Sequence, residues 1–180
     1  MQPIFLIGYM GCGKSTMGRA VSELTGFPFI DLDNYIERRF HHSVKEIFAE
    51  RGEDGFRDVE RRMLQEVADF EDVIVACGGG TPCFFDNMEY MNSHGTTVFL
   101  NTPIPRLHSR LMRGRNKRPL IADKNEEELL VFIKEALAKR MEHYSKAQIK
   151  FSSERLENRT EIANTAREFI ELLSIPLKTS

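Results

Sequence analysis

The stretch Gly8-Tyr9-Met10-Gly11-Cys12-Gly13-Lys14-Ser15 fills every position of the pattern G-x-x-x-x-G-K-[ST]. Glycines there let backbone N–H groups turn inward and approach phosphate oxygens. Lys14 adds a mobile positive charge, and Ser15 a hydroxyl suited to Mg2+. The pattern has meaning between a strand and a helix, and both are legible. Pro3 to Ile7 is a short apolar run ended by Gly8. Met17, Ala20, Val21 and Leu24 recur at helical spacing before Gly26, so a helix from Lys14 aims its N-terminal dipole at the same anions. The loop specifies a nucleoside triphosphate and leaves the reaction open.

Asp31 and Asp33 follow a second short strand, Phe27 to Ile30. Two apart in an extended segment, they point to the same side, at the carboxyl edge where open α/β sheets bind ligands. One carboxylate could orient a Mg2+ water, the other accept a hydrogen bond from a nucleophilic hydroxyl. The alternative is that one of them caps a helix beginning at Asn34. Next to a phosphate loop, function is favoured. The clearest strand, Val73 to Cys77, ends in Gly78-Gly79-Gly80 and not in the acid that P-loop proteins usually place there to hold the metal. Asp31 is then the nearest metal candidate, and motor-type and transport-type ATPases are disfavoured. No Asn-Lys-x-Asp tetrapeptide reads guanine, which disfavours a GTPase switch. The three glycines can form a backbone surface that a ligand touches closely.

Several arginines stand out of place. Arg140 continues the apolar stripe Ile133, Ala136/Leu137, Arg140, Tyr144, so it faces inward and needs an anion; a buried salt bridge satisfies that need equally well. Arg57 follows Phe56 at a helix start, where a cation opposes the helix dipole, and Glu60 one turn later could hold it. From Arg106 to Arg118 there are six cations: Arg106, Arg110, Arg113, Arg115, Lys117 and Arg118. A basic loop of this kind suits a lid over a triphosphate; the alternatives are a solvated loop or nucleic-acid contact, and no aromatic residue interleaves the run to provide stacking.

The elements that must position these groups alternate. Short helices are expected over 34–40 and 44–50, a longer one from Phe56 to Phe70, and another from Phe84 to Asn92. Thr96 to Leu100 reads as a strand and Pro103 to about Met112 as a helix, with a loop from Arg113 to Asn125. Asn125 before three glutamates starts the next helix with a capping box. A strand at Gln148 to Ser152 and a helix over Asn158 to Ser174 complete the chain. Five-residue strands alternating with helices predict an α/β protein with a parallel sheet covered on both faces.

Composition agrees with one such domain. The chain has 180 residues, 12 Gly and 7 Pro. Its 25 Lys+Arg nearly balance 27 Asp+Glu, for a formal charge of -2, so the global positive field common in duplex-nucleic-acid binders is lacking. Sixteen of those cations are arginines, whose planar fork suits carboxylates and phosphates. Cys12, Cys77 and Cys83 form neither an even set nor a Cys-x-x-Cys pair, against a disulfide framework or zinc site. The apolar stretch near the start is too short for a signal segment or membrane span, and a reducing cytoplasm is expected.

Taken in order and spacing, the pieces resemble the shikimate kinase family. They are Gly8 to Thr16, Asp31-Leu32-Asp33, Ile47-Phe48, Gly52-Glu53-Asp54-Gly55-Phe56-Arg57 with Glu60, Gly78-Gly79-Gly80, Arg118-Pro119-Leu120, and Arg140 with Tyr144. The resemblance implies a three-layer α/β/α P-loop kinase of the nucleoside-monophosphate-kinase type, with a central five-stranded parallel sheet. It implies one domain over 1–180, with a substrate-binding helical region at about 34–60 and a lid at about 112–125. The implied activity is ATP-dependent phosphorylation of the shikimate 3-hydroxyl, giving shikimate 3-phosphate and ADP, by a cytoplasmic monomer needing neither nucleic acid nor membrane. By similarity, Gly11, Cys12, Gly13, Lys14, Ser15 and Thr16 bind ATP, Ser15 and Asp31 serve Mg2+, and Arg118 contacts ATP and transition-state charge. Asp33 takes the substrate diol and acts as base. Arg57, Gly79 and Arg140 bind shikimate, both arginines on its carboxylate, with Glu60, Gly78 and Gly80 beside them. Alternatives are a gluconate-type kinase of the same fold and a non-catalytic ATP-binding regulator. The chain departs from the family where Phe151 to Thr165 has no proline and where Glu142-His143 precedes Tyr144. Arg110 and Arg155 are the candidates for the adenine, and His41 and His42 have no assigned role.

Overall fold

In the computed structural model, which describes residues 1–114, 118 and 120–178, five strands form one parallel sheet in the order β2-β3-β1-β4-β5. The strands are β1 (Ile4–Ile7), β2 (Phe29–Asp31), β3 (Ile74–Ala76), β4 (Thr96–Asn101) and β5 (Ile149–Ser152). β1 pairs with β3 through Phe5–Val75 and with β4 through Phe5–Thr97. All four β1 residues are buried. Since alternate residues face opposite sides, both faces of the sheet are covered, as the continuous apolar run requires.

The helices are α1 (Lys14–Thr25), α2 (Leu32–Phe40), α3 (Val44–Ala68), α4 (Asn87–His94), α5 (Ile104–Gly114), α6 (Glu126–Tyr144) and α7 (Arg159–Leu173). α1 packs with α7, α2 with α3, and α5 with α6. Ser43 and Glu46 make a capping box at the start of α3, and Asn125 and Glu128 the expected one at the start of α6.

Three expectations are corrected. The two helices read over 44–50 and from Phe56 to Phe70 do meet at a break, Gly52 at φ 68 and ψ -175, but within the span α3 the second starts just past that break and not at Phe56, and it ends at Ala68. Arg57 therefore lies inside α3, five residues past that break, and not at a helix start. The helix expected from Phe84 begins only at Asn87; a 3-10 turn, Thr81–Cys83, and an extended Phe84 precede it because Pro82 and the positive φ of Phe85 interrupt the path. α5 runs to Gly114, so Arg106, Arg110 and Arg113 stand on a helix. Arg115, Lys117 and Pro119 lie outside the described residues.

Candidate active site

β1 hands the chain to α1 through the phosphate loop. Gly13 precedes the helix at φ 98, and a side chain there would also strike Leu156. Only glycine holds that left-handed turn without strain. Lys14 Nζ donates to Gly8 O at 2.7 Å and Tyr9 O at 3.1 Å, which holds the ammonium over its own loop. Gly11, Gly13, Lys14, Ser15 and Thr16 line a cleft of about 510 Å3 together with Arg110, Arg113 and Arg118. Three of the sixteen arginines thus converge on the loop. Arg110 is anchored there: its guanidinium donates to Glu157 Oε1 at 2.8 Å, to Gly11 O at 3.3 Å and to Glu154 O at 2.8 Å. Arg155, by contrast, is exposed and lies 4.0 Å from Glu168. Arg118 reaches Gly114 O at 3.4 Å.

Asp31 and Asp33 do not both project from a strand. Asp31 ends β2 and caps α2, its Oδ1 accepting from Asn34 N at 3.3 Å, while Asp33 stands in the first helical turn. Asp31 is therefore the cap that sequence reading had left open. Its other oxygen, Oδ2, accepts from Ser15 Oγ at 3.1 Å, so the hydroxyl and carboxylate proposed for Mg2+ do meet. One hydroxyl and one carboxylate suit Mg2+, which keeps several waters and takes its remaining oxygens from substrate phosphates. No group of three or more His, Cys, Asp or Glu that could hold a metal occurs among the described residues.

The triglycine turn gathers the rest. A methyl group on Gly78 would lie 3.2 Å from Glu60 Oε1 and 3.4 Å from Asp33 Oδ1; one on Gly79, 2.9 Å from Arg140 Nη1; one on Gly80, 2.8 Å from Arg57 Nη2. Four charged side chains from α2, α3 and α6 therefore close on a backbone that has room for none of its own. Glu60, 1% exposed, accepts from Thr81 Oγ1 at 2.6 Å and from Arg57 Nη1 at 2.9 Å. Phe84 stacks 3.9 Å from Arg57 Cζ, fixing the guanidinium plane. Arg140 Cζ stands 5.4 Å from the Tyr9 ring centre, and Tyr144 Oη donates to Gly79 O at 2.6 Å. Among the described residues no carboxylate lies within 4.0 Å of Arg140. The internal salt bridge open to it on sequence grounds is absent there. Thr81 and Phe84 were missed in the sequence; the signal was their place one and four residues after the triglycine.

Burial, reinforced by Asp31 and Glu60 and opposed by Lys14, pushes the Asp33 carboxyl up to about 6. That range suits proton acceptance near neutrality. Burial also raises the Tyr144 phenol, against the pull of Arg140, so it stays protonated and able to donate. His41 and His42 are exposed between α2 and α3; His41 ends α2 at φ 55, and His42 Nδ1 lies 2.8 Å from Phe40 O.

The shikimate kinase family model matches residues 10–171. A shikimate kinase of Phocaeicola vulgatus is 57% identical over 162 residues, covering 90% of this chain and 93% of that protein. The crystal structure of shikimate kinase from Bacteroides thetaiotaomicron superposes with a TM-score of 0.92 at 50% identity, covering 96% of this chain and 98% of that one. Shikimate kinase from Acinetobacter baumannii in complex with shikimate gives a TM-score of 0.80 at 32% identity, covering 97% and 93%. With a family match across most of its length and relatives of this identity, the chain belongs to the shikimate kinase family.

Proposed function

We propose that the protein transfers the γ-phosphoryl group of ATP to the 3-hydroxyl of shikimate, giving shikimate 3-phosphate and ADP. The observation that carries this reading is the pair Arg57 and Arg140, set on adjacent glycines beside Asp33. Two guanidiniums 2.8–2.9 Å from where a methyl would stand suit a planar carboxylate held by paired hydrogen bonds. Backbone N–H groups from Gly11 to Thr16, with Lys14, receive the phosphates. Ser15 and Asp31 would hold Mg2+, which when bound neutralises phosphate charge. Asp33 accepts the hydroxyl proton as that oxygen attacks phosphorus; the bond to the ADP oxygen breaks, and the electron pair leaves with ADP. Arg118 stabilises charge on the transferring group, and the segment 112–125 closes over the cleft to keep water out. Glu60, Gly78 and Gly80 shape the acid pocket.

We take the enzyme to act as a monomer, as the family resemblance implies. No described helix is long and apolar enough to cross a membrane. We place the enzyme in the cytoplasm, acting on a small molecule and not on nucleic acid. A coupled ADP-release assay over a panel of hydroxy acids, including gluconate, and nucleosides tests the reading. Turnover should require shikimate; ADP release that ignores shikimate, or prefers gluconate, refutes it.

A further inference from the structure

Tyr9 also borders a second cavity. This one measures about 380 Å3, lies between the end of β4, the start of α5 and one side of α6, and shares no lining residue with the triphosphate cleft. Its wall is largely apolar, with Phe99, Leu107, Leu137 and Met141 contributing. The volume falls in the range of small-molecule sites.

Two polar groups on it are unused. Tyr9 is 1% exposed, yet its hydroxyl has no hydrogen-bond partner among the described residues. Buried hydroxyls are paired in the great majority of cases, so an orphan on a residue that lines a cavity marks a missing acceptor. Lys134 at the edge of α6 is exposed and makes no ion pair among the described residues. A single water could satisfy the phenol, but the largely apolar wall offers further waters few partners, which favours an apolar body there.

We propose that this cavity is a binding site for a small amphipathic molecule. Its body is apolar and about the size of one substituted ring. A neutral acceptor such as a ketone oxygen meets the Tyr9 hydroxyl, since the cation beside that ring, Arg140, is set against Gly79 in the acid pocket. An anionic group at the other end meets Lys134 in solvent.

The probe is 4-acetylphenylacetate, titrated into the full chain carrying 13C-methyl methionine, with the Met141 signal as readout. A saturable shift of that signal is expected below about 10 mM, the weak end of small-ligand affinity. Tyr9→Phe keeps the wall and deletes the donor, and should weaken binding about fivefold or more. Ala138→Trp, at an exposed position of α6 on the cavity lining, should plug the entrance and abolish it. Saturating shikimate should leave the midpoint of the probe titration unchanged, since the site shares no lining residue with the acid pocket at Gly78–Gly80. Absence of a saturable shift overturns the proposal. So does binding that survives both Tyr9→Phe and Ala138→Trp, or that shikimate competes away, which would put the probe in the reaction cleft.

Discussion

Burial beside Asp31 and Glu60 raises the Asp33 carboxyl from 3.8 to about 6, so its ionised form is held against a cost to the fold. The folded state binds this proton more tightly than the unfolded chain does. Stability from the protonated form is complete below about pH 3.8, declines as pH rises through the window to about 6, and levels off above it. Roughly two pH units at about 1.4 kcal/mol each set a ceiling of about 3 kcal/mol for the loss. Asp33→Asn cannot ionise. Its stability relative to the wild type should therefore grow by about 2 kcal/mol between pH 4 and pH 8, enough to raise Tm by several degrees in a chain of this size. The same change removes the proposed base, so turnover should fall by roughly two to four orders of magnitude while ATP still binds. Urea titrations of both proteins at the two pH values, with ADP-release kinetics, measure this. A stability difference that is the same at pH 4 and pH 8 would refute the assigned burial cost. Wild-type kcat/KM that shows no acidic limb near pH 6 would refute the role as base.

Arg140→Ala should raise KM for shikimate about 10- to 100-fold through loss of a charge-assisted contact, with little change in stability, because no internal carboxylate within reach is left behind among the described residues; unchanged KM would contradict the clamp. Gly79→Ala puts a methyl 2.9 Å from Arg140 Nη1 and should also raise KM for shikimate, leaving KM for ATP near the wild-type value in the same steady-state assay. Arg57→Ala strands Glu60, which is 1% exposed, and should cost about 3–5 kcal/mol in urea titration. Adding Glu60→Gln to Arg57→Ala should recover part of that loss.

The phosphate loop was legible because its chemistry is local: strand, glycines, lysine and helix occupy consecutive residues. The inward set of Arg140 was legible from helical periodicity for the same reason. Asp31 and Asp33 were placed near each other correctly, but by the wrong geometry. A strand of three residues ends at Asp31, and the cap it makes turns Asp33 into a helix. Periodicity cannot resolve a boundary inside so short an element. The meeting of Arg57, Glu60, Asp33 and Arg140 around Gly78–Gly80 was beyond periodicity as well, since it depends on α2, α3 and α6 reaching one turn after β3. The resemblance to a family supplied what spacing could not. Tyr9 was invisible as a special residue because an aromatic side chain in a glycine loop carries no sign of whether its hydroxyl finds a partner.

β1 lies mid-sheet, bonded to β3 on one side and β4 on the other. During synthesis it is made before either neighbour. With β3 beginning 67 residues after β1 ends, and translation at 5–20 residues per second, the apolar run Ile4–Ile7 waits roughly 3–13 s for its first partner. Through that interval the nascent chain carries a sticky, unpaired strand with an unformed nucleotide loop behind it. A block to elongation before residue 74 should therefore yield aggregation-prone fragments that ATP cannot rescue, whereas chains released after β4 contain all three central strands and a loop with the scaffold to take a phosphate.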